Sequence, residues 1–220
     1  MNAQQLSASS VLVAIFLSGC ATTPPTQPIP ELSQPQSAGL GIDVTLKAII
    51  AAFSYTPDQI YFAKIDGKDS LLQQQIIPSN YAKGGRAYLL NARPGTYVAV
   101  AAFFSYTPML GGKTTQYTTY LSKELVEQTK VTVRENDFVF MGSYVVQQSL
   151  GGPDKVQTHY QNLLAPGVLR RGFGVFNPER LDYHYRGVLI EHKSDEQTRN
   201  EFFRNAKVDF EGSAWVERLK

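Results

Sequence analysis

Asp182 and His184 are the residues of this sequence whose types and spacing could best support catalysis. They lie two positions apart in a stretch rich in apolar and aromatic residues, so on a β-strand both side chains would point to the same face. A carboxylate beside an imidazole can orient it as a general base for a hydroxyl nucleophile. A hydrolase is therefore one hypothesis. No G-x-S-x-G nucleophile motif accompanies the pair, since Ser143 lacks the second glycine.

The remaining chemical motifs predict neither a metal site nor a nucleotide cofactor. His159, His184 and His192 do not stand in an HExxH, HxH or CxxC spacing, and we favour their interpretation as surface or interface residues. Gly111-Gly112-Lys113-Thr114 imitates the end of a phosphate-binding loop, but Thr107 stands where its first glycine is required. We therefore expect no cofactor, no metal and no catalytic residue.

An aromatic segment occurs twice and could form a binding surface. Ala51-Ala52-Phe53-Ser54-Tyr55-Thr56-Pro57 recurs fifty positions later, with one insertion, as residues 101–108. If the copies lie side by side, Phe53, Tyr55, Phe104 and Tyr106 would form an aromatic patch suited to a ligand or partner. The simpler interpretation is that two strands leave a sheet through similar turns, because proline prevents further pairing.

Further tyrosines occur in pairs, at Tyr117 and Tyr120 and at Tyr183 and Tyr185. Strand spacing puts Tyr183 and Tyr185 on one face together with Leu181. We prefer the interpretation that they are core residues whose hydroxyls reach the rim. If exposed, they could stack on sugars or on a partner protein.

The overall composition excludes several classes of protein. The chain has 220 residues, of which 43% are hydrophobic and 18% charged, enough for one large domain or two small ones. The formal net charge is only +2, and neither half of the chain is strongly charged, so no nucleic acid is expected as a partner. A single cysteine excludes an intrachain disulfide framework and any multi-cysteine metal site.

That cysteine, Cys20, follows a segment typical of a cleaved secretory signal. Residues 1–19 contain no charged side chain, and the apolar run Val11–Leu17 is too short for a membrane span, since seven helical residues rise only about 10 Å. Leu17-Ser18-Gly19-Cys20 resembles the lipobox of bacterial lipoproteins, although residues 1–10 lack the usual Lys or Arg. The alternative is that residues 11–17 form a buried element and that Cys20 is an ordinary thiol.

The resemblance implies that residues 1–19 are a signal peptide and that Cys20 becomes the new N-terminus, carrying diacylglycerol on sulfur and a further acyl chain. The membrane is then one partner, because several acyl chains on one residue anchor stably. Ala21 is not the aspartate associated with inner-membrane retention, which implies delivery to the outer membrane of a bacterial cell envelope. Residues 20–39 contain five prolines and one charge, and predict a tether of up to about 60 Å.

From Leu40 onward, apolar residues alternate with the spacing of β-strands. Gly, Pro, Asn and Asp separate six further β-rich runs, which are Ile60–Ile65, Arg86–Leu90, Thr96–Phe104, Gln116–Leu121, Lys130–Arg134 and Asp137–Val146. No helix long enough for a parallel crossover is visible between Leu40 and Val146. We therefore predict a mainly β fold in which residues 40–150 form an antiparallel β-sandwich of about seven strands.

The segment Asn91-Ala92-Arg93-Pro94-Gly95-Thr96-Tyr97 resembles the PGxY turn of transthyretin-like and carboxypeptidase-regulatory-like β-sandwiches, and also a small bacterial lipoprotein domain of uncharacterised function. Pro94 would set φ, and Gly95 would take the positive φ of a type II turn. The resemblance implies a sandwich over roughly residues 58–146 and says little about activity, since such sandwiches serve many roles.

Residues 151–220 are expected to form an α/β extension packed on the sandwich. Pro153 and Asp154 open a helix that runs to Leu164, and residues 168–193 form one or two strands. Ser194 is expected to cap a helix to about Ala206, and a short helix follows over Ser213–Leu219. These helices are too short to be stable alone, so residues 40–220 are predicted to be one α+β unit.

Together these features predict a lipid-anchored envelope lipoprotein that acts as a structural or binding component, with no catalytic activity. Its partners would be the membrane, through Cys20, and an envelope protein or glycan. A carbohydrate or peptidoglycan binder that uses exposed aromatics is an alternative, as is a periplasmic hydrolase that uses Asp182 and His184.

Overall fold

The computed structural model describes residues 28–49, 53–65, 75–107, 113–164 and 181–219, with the backbone alone described at 181 and 182. Within these ranges the chain is mainly β, with eleven strands and three α-helices. The strands are β1 (Ala38–Lys47), β2 (Ser54–Tyr55), β3 (Gln59–Lys64), β4 (Gln75–Pro78), β5 (Tyr81–Lys83), β6 (Arg86–Ala92), β7 (Gly95–Tyr106), β8 (Thr115–Leu121), β9 (Val131–Val133), β10 (Phe138–Ser149) and β11 (Leu181–Lys193). The helices are α1 (Lys123–Gln128), α2 (Lys155–Leu164), α3 (Glu196–Asp209) and a C-terminal 3-10 helix (Ala214–Arg218).

The described strands form one curled, mixed sheet, and the expectation of an antiparallel sandwich of about seven strands is wrong. The strand order is β4-β3-β7-β8-β11-β10-β1-β6-β5, while β2 pairs with β1 and β9 with β7. Two neighbouring pairs are parallel, β1 with β10 and β8 with β11. The alternation of apolar residues identified most strands but not their neighbours.

The parallel pairs explain why the sandwich prediction failed. Parallel neighbours need a long connection, which is most often a helix, and the sequence shows no helix of sufficient length between Leu40 and Val146. Here β2 to β9 intervene between β1 and β10, so strands themselves supply the crossover. Side-chain alternation specifies which residues form a strand and which face they share, and it carries no information about the direction of the neighbouring strand.

β11 belongs to the predicted C-terminal extension but lies in the middle of the sheet, between β8 and β10. Gly187 allows its neighbours to approach closely. A Cβ at this position would lie 2.9 Å from Val146 Cγ1 and 3.2 Å from the carbonyl oxygen of Tyr120. A larger residue at position 187 would therefore displace either β8 or β10.

The turn at Ser79–Asn80 links the two edges of the curled sheet. It connects β4 and β5, the two outermost strands of the order. The Ile60 N–H donates to Ser79 Oγ at 3.0 Å, and the Ser79 N–H donates to the Ile60 carbonyl at 2.7 Å. The Asn80 N–H donates to the Tyr88 carbonyl at 3.0 Å, while Leu90 N–H donates to Asn80 Oδ1 at 2.8 Å. One turn thereby joins β3 to β6.

Two apolar clusters stabilise this arrangement. The larger contains the alternating residues Leu40, Ile42, Val44 and Leu46 of β1, together with buried residues of β3, β6, β7, β8 and β10. The second is aromatic and packs α3 and the 3-10 helix onto β5, β6 and β10. Its buried members are Tyr81, Tyr88, Leu90, Phe138, Phe202, Phe203, Ala206, Phe210, Trp215 and Leu219.

The helices differ in part from those expected. α2 confirms the predicted helix that ends at Leu164. The short helix α1 was not predicted, and begins after Ser122, whose hydroxyl accepts a hydrogen bond from the Leu125 N–H at 3.4 Å. α3 is capped by Asp195 rather than Ser194, because the Asp195 carboxylate accepts from the Thr198 N–H at 2.9 Å.

Residues 28–37 of the predicted tether contact the folded domain. Trp215 Nε1 donates to the Pro30 carbonyl at 2.8 Å, and Asn91 Nδ2 donates to the Glu31 carbonyl at 2.8 Å. Ile29 and Leu32 pack against the aromatic cluster under α3. Cys20, the signal segment and residues 20–27 lie outside the described residues.

One buried ion pair fastens α3 to the sheet. Arg86 Nε and Nη2 donate to the two carboxylate oxygens of Asp209 at 2.7 and 3.0 Å. The Tyr88 hydroxyl donates to Asp209 Oδ2 at 2.5 Å. Burial, followed by the hydrogen bond to Asp209, raises the pKa of Tyr88. The Asp209 side chain is only 3% exposed, so its charge depends on these donors for stabilisation.

Asp209→Asn is expected to lower the free energy of unfolding by about 3 kcal/mol, because it leaves the Arg86 guanidinium buried without its counter-charge. Urea denaturation at pH 7 measures the change. Glu191→Gln is the matched control, since Glu191 pairs with Lys193 at 2.8 Å on the surface and its loss should be undetectable. Equal losses in the two variants would contradict the role given to the buried pair.

Candidate functional site

The four aromatic residues of the repeated segment meet at one end of the curled sheet. Tyr55 belongs to β2, and Phe53 immediately precedes that strand. β2 pairs with the end of β1, where Tyr55 lies opposite Leu46. Phe104 and Tyr106 lie at the end of β7. The rings of Tyr55 and Phe104 stack with centroids 4.7 Å apart, and all four residues line a cavity of about 450 Å³.

Three further tyrosines extend this cluster, through strand register. Tyr117 of β8 lies opposite Phe104 of β7, and Tyr183 of β11 lies opposite Tyr117. The rings of Tyr117 and Tyr183 are 5.3 Å apart, and those of Tyr117 and Tyr185 are 6.3 Å apart, with planes within 13° and 9° of parallel. The tyrosines at 183 and 185 are half-buried. Sequence spacing showed that they share a face, but the register that joins them to Tyr117 was not visible.

We call this cavity the aromatic groove. Its most exposed residues are Phe53 at 67%, Tyr106 at 48% and Ile49 at 44%. No charged side chain of the described residues lines it. Clustered exposed apolar side chains of this kind are typical of ligand or partner surfaces. The lining residues are Ala48, Ile49, Phe53, Tyr55, Phe104, Tyr106, Tyr117, Gln148 and Tyr185.

The polar groups of the groove are held in a short hydrogen-bonded chain. The Tyr55 hydroxyl donates to Gln148 Oε1, and Gln148 Nε2 donates to Thr119 Oγ1 at 2.8 Å. Burial raises the pKa of Tyr55, Tyr117 and Tyr185, and neighbouring tyrosines raise it further. These hydroxyls therefore stay protonated at neutral pH, and the groove presents uncharged hydrogen-bonding groups among aromatic rings.

Each histidine contacts a different tyrosine, so the three do not form one site. His184 is buried, with Nδ1 3.2 Å from the Tyr120 hydroxyl. His192 stacks on Tyr144 at 4.5 Å, and the His159 ring packs edge-on against Tyr160 at 5.0 Å. The side chain of Asp182, the expected partner of His184, lies outside the described residues. Tyr120, paired with Tyr117 in the sequence, is buried in the core.

Neither a metal site nor a membrane span is found within the described ranges. No group of three or more His, Cys, Asp or Glu side chains is arranged there to hold a metal ion. None of the helices there has the length and apolar content that crossing a bilayer requires. Comparison of the chain with protein-family models, curated proteins and solved structures finds no match.

Tyr55→Phe is expected to destabilise the protein by about 1–2 kcal/mol, because it leaves Gln148 Oε1, in a side chain 3% exposed, without its donor. The matched control is Tyr106→Phe, which also removes a tyrosine hydroxyl, but from an exposed ring, and should leave the stability unchanged. Urea denaturation of both variants measures the difference. Identical curves for the two variants would mean that the bond from Tyr55 to Gln148 does not stabilise the groove.

Proposed function

We propose that this chain is a lipid-anchored binding protein of the bacterial cell envelope, and that the aromatic groove is its binding surface. The aromatic groove is the observation that supports this proposal most directly. Exposed rings at Phe53 and Tyr106 line a cavity of about 450 Å³ together with half-buried rings at Tyr55 and Phe104. A concave, mostly apolar cavity with a few fixed polar groups is the usual form of a small-molecule or segment-binding site.

The position of the groove relative to the anchor supports this role. Residues 28–37 lie against the 3-10 helix, next to the start of β1, and the groove lies beyond the end of β1 at Ala48 and Ile49. β1 has ten residues and a rise of about 3.3 Å per residue, so its two ends are about 30 Å apart. The N-terminal segment and the groove therefore occupy opposite ends of the sheet.

A short anchor would hold the groove away from the membrane. If Cys20 carries the lipid, the eight residues 20–27 connect it to the described part of the domain, and eight residues would span roughly 25 Å in the polyproline II conformation that their sequence predicts. The end of the domain beside Ala38 then faces the anchoring bilayer. The groove opens toward the aqueous compartment, where a soluble or cell-wall partner is accessible.

A cell-wall glycan is the partner class that the lining of the groove favours. Uncharged tyrosine hydroxyls such as those of Tyr106 and Tyr185 can donate to sugar hydroxyls, and aromatic rings provide apolar surface for the carbon faces of sugar rings. The alternative partner is an envelope protein that inserts an apolar segment. Both would bind without the salt dependence that a charged surface imposes.

Cys20→Ser is expected to move the protein from the membrane fraction to the soluble periplasmic fraction, because it removes the atom that would carry the acyl chains. Fractionation of cells followed by immunoblotting measures the distribution, and mass spectrometry of the unsubstituted protein should show an acylated N-terminal cysteine. Continued membrane association of the variant, or a free thiol on Cys20 behind an intact initiator methionine, would overturn the lipid anchor.

The double substitution Phe53→Ser and Tyr106→Ser is expected to weaken binding to purified peptidoglycan at least about tenfold, which corresponds to 1.4 kcal/mol. Co-sedimentation with purified peptidoglycan measures the bound fraction. Val208→Ser is the control, since Val208 is 60% exposed on α3. Equal binding by all three proteins would contradict the role of the groove. If none of the three proteins binds, the glycan is excluded as the partner. The envelope protein is then the remaining candidate, and a pull-down from detergent-solubilised envelope would identify it.

A further inference from the structure

A second cavity, of about 290 Å³, lies between α1 and α2, where both helices contact β7. We call it the interhelical cleft. Its apolar surface comes from Ile65, Val98, Val126, Val156 and Tyr160. It shares no lining residue with the aromatic groove, so it is a separate site.

Helical spacing places lysines at the rim of the cleft and valines inside it. On α1, Lys123 and Val126 are three positions apart and project to the same side of the helix. Lys130 follows α1 by two residues and lies on the same side. On α2, Lys155 begins the helix beside Val156. Each helix therefore combines cationic and apolar side chains in one wall.

The rim of the cleft carries an excess of positive charge. Among the residues that the structure describes, three lysines and one carboxylate, that of Glu127, line it. Lys123 pairs with Glu127 at 3.6 Å, and both side chains are about two-thirds exposed. Among the described residues, Lys130 and Lys155 form no salt bridge. Two lysines are therefore available to an anionic group, at the edge of an apolar cavity where a charge pair is less screened than in water.

After the lysines, His159 is a second indication that the cleft binds a ligand. Its ring lines the cleft and packs against Tyr160, and its Nε2 is buried without a hydrogen-bond partner. His159 lies one helical turn after Lys155, on the same side of α2. A buried ring nitrogen without a partner costs free energy, which a polar atom of a ligand would offset if the ring rotated to bring Nε2 to the surface of the cleft.

We propose that the interhelical cleft binds a single-chain fatty-acid anion. The carboxylate lies between Lys130 and Lys155, within reach of His159, and the acyl chain lies along Val98 and Val126. This arrangement pairs two ammonium groups and covers the apolar lining of the cleft with the chain, whereas an inorganic anion would leave that lining in contact with water.

The volume of the cleft limits the length and number of the chains. An apolar cavity of about 150 Å³ accommodates benzene, which has six carbons. A cleft of about 290 Å³ therefore has room for about ten to twelve carbons of one chain. The volume of the cleft therefore matches one medium-length acyl chain better than the two chains of a membrane diacyl lipid.

Isothermal titration calorimetry of the full chain carrying Cys20→Ser tests the proposal, because this form needs no detergent. The probe is sodium decanoate, below its micelle-forming concentration. Butyrate supplies the carboxylate without the chain, and 1-decanol supplies the chain without the charge. Decanoate is expected to bind with one equivalent, and the two comparison compounds at least about tenfold more weakly.

Variants locate the site. Lys130→Gln with Lys155→Gln is expected to weaken decanoate binding at least about tenfold, while the charge-matched control Lys113→Gln with Lys207→Gln leaves it unchanged. All four lysines are exposed, so the fold tolerates both double variants. Val126→Phe fills the cleft and is expected to abolish binding, with circular dichroism as the check that the variant is folded.

Several outcomes would overturn the proposal. Equal binding of butyrate would mean a simple anion site, and equal binding of 1-decanol would mean an apolar site without charge recognition. Decanoate binding that survives both Lys130→Gln with Lys155→Gln and a folded Val126→Phe would place the site elsewhere, and an absence of heat with decanoate would exclude the ligand. None of these results bears on the aromatic groove or on Cys20, so the two proposals fail independently.

Discussion

The pairing of β11 with both β8 and β10 is the interaction on which the described structure depends. On one side of β11 lie β8, β7, β3 and β4, and on the other lie β10, β1, β6 and β5. Seven residue pairs join β11 to each neighbour. Without this strand, the facing edges of β8 and β10 would expose unpaired backbone groups, which is unfavourable in a buried sheet centre. The strand that completes the sheet also supplies Tyr185 to the groove, and Tyr183, which stacks on the groove residue Tyr117.

The groove is an outward continuation of the core rather than a separate feature. Along β8, Leu121 and Thr119 are buried and Tyr117 is half-buried in the groove, and these three share one face of the strand. Along β10, buried Val146 is followed on the same face by Gln148. The apolar interior therefore ends in aromatic rings and amides. Side chains on paired strands are held more precisely than side chains on loops, which suits a binding surface.

The two proposed sites both include residues of β7, but one is uncharged and the other is positively charged. Phe104 of β7 lines the uncharged groove and Val98 of β7 lines the lysine-rimmed cleft. Six residues separate them, a distance of about 20 Å along a strand. Their ligands would therefore not overlap. The buried pair of Arg86 and Asp209 lies elsewhere, and holds α3 against β6 at the point where Arg86 is opposite Asp43 of β1.

Short-range patterns in the sequence determined most of the described strands and helices and the repeated aromatics, but not β2, β4, β5 or α1, because alternation, capping and turn preferences act between residues close along the chain. They placed Phe53, Tyr55, Phe104 and Tyr106 as one candidate surface. Only the tertiary structure decided that β11 enters the sheet, that two pairs are parallel, and that Tyr117 and Tyr183 face each other. Strand partners are chosen by packing summed over the whole sheet, and contacts such as that of Arg86 with Asp209 join residues too distant along the chain for any local pattern to reveal.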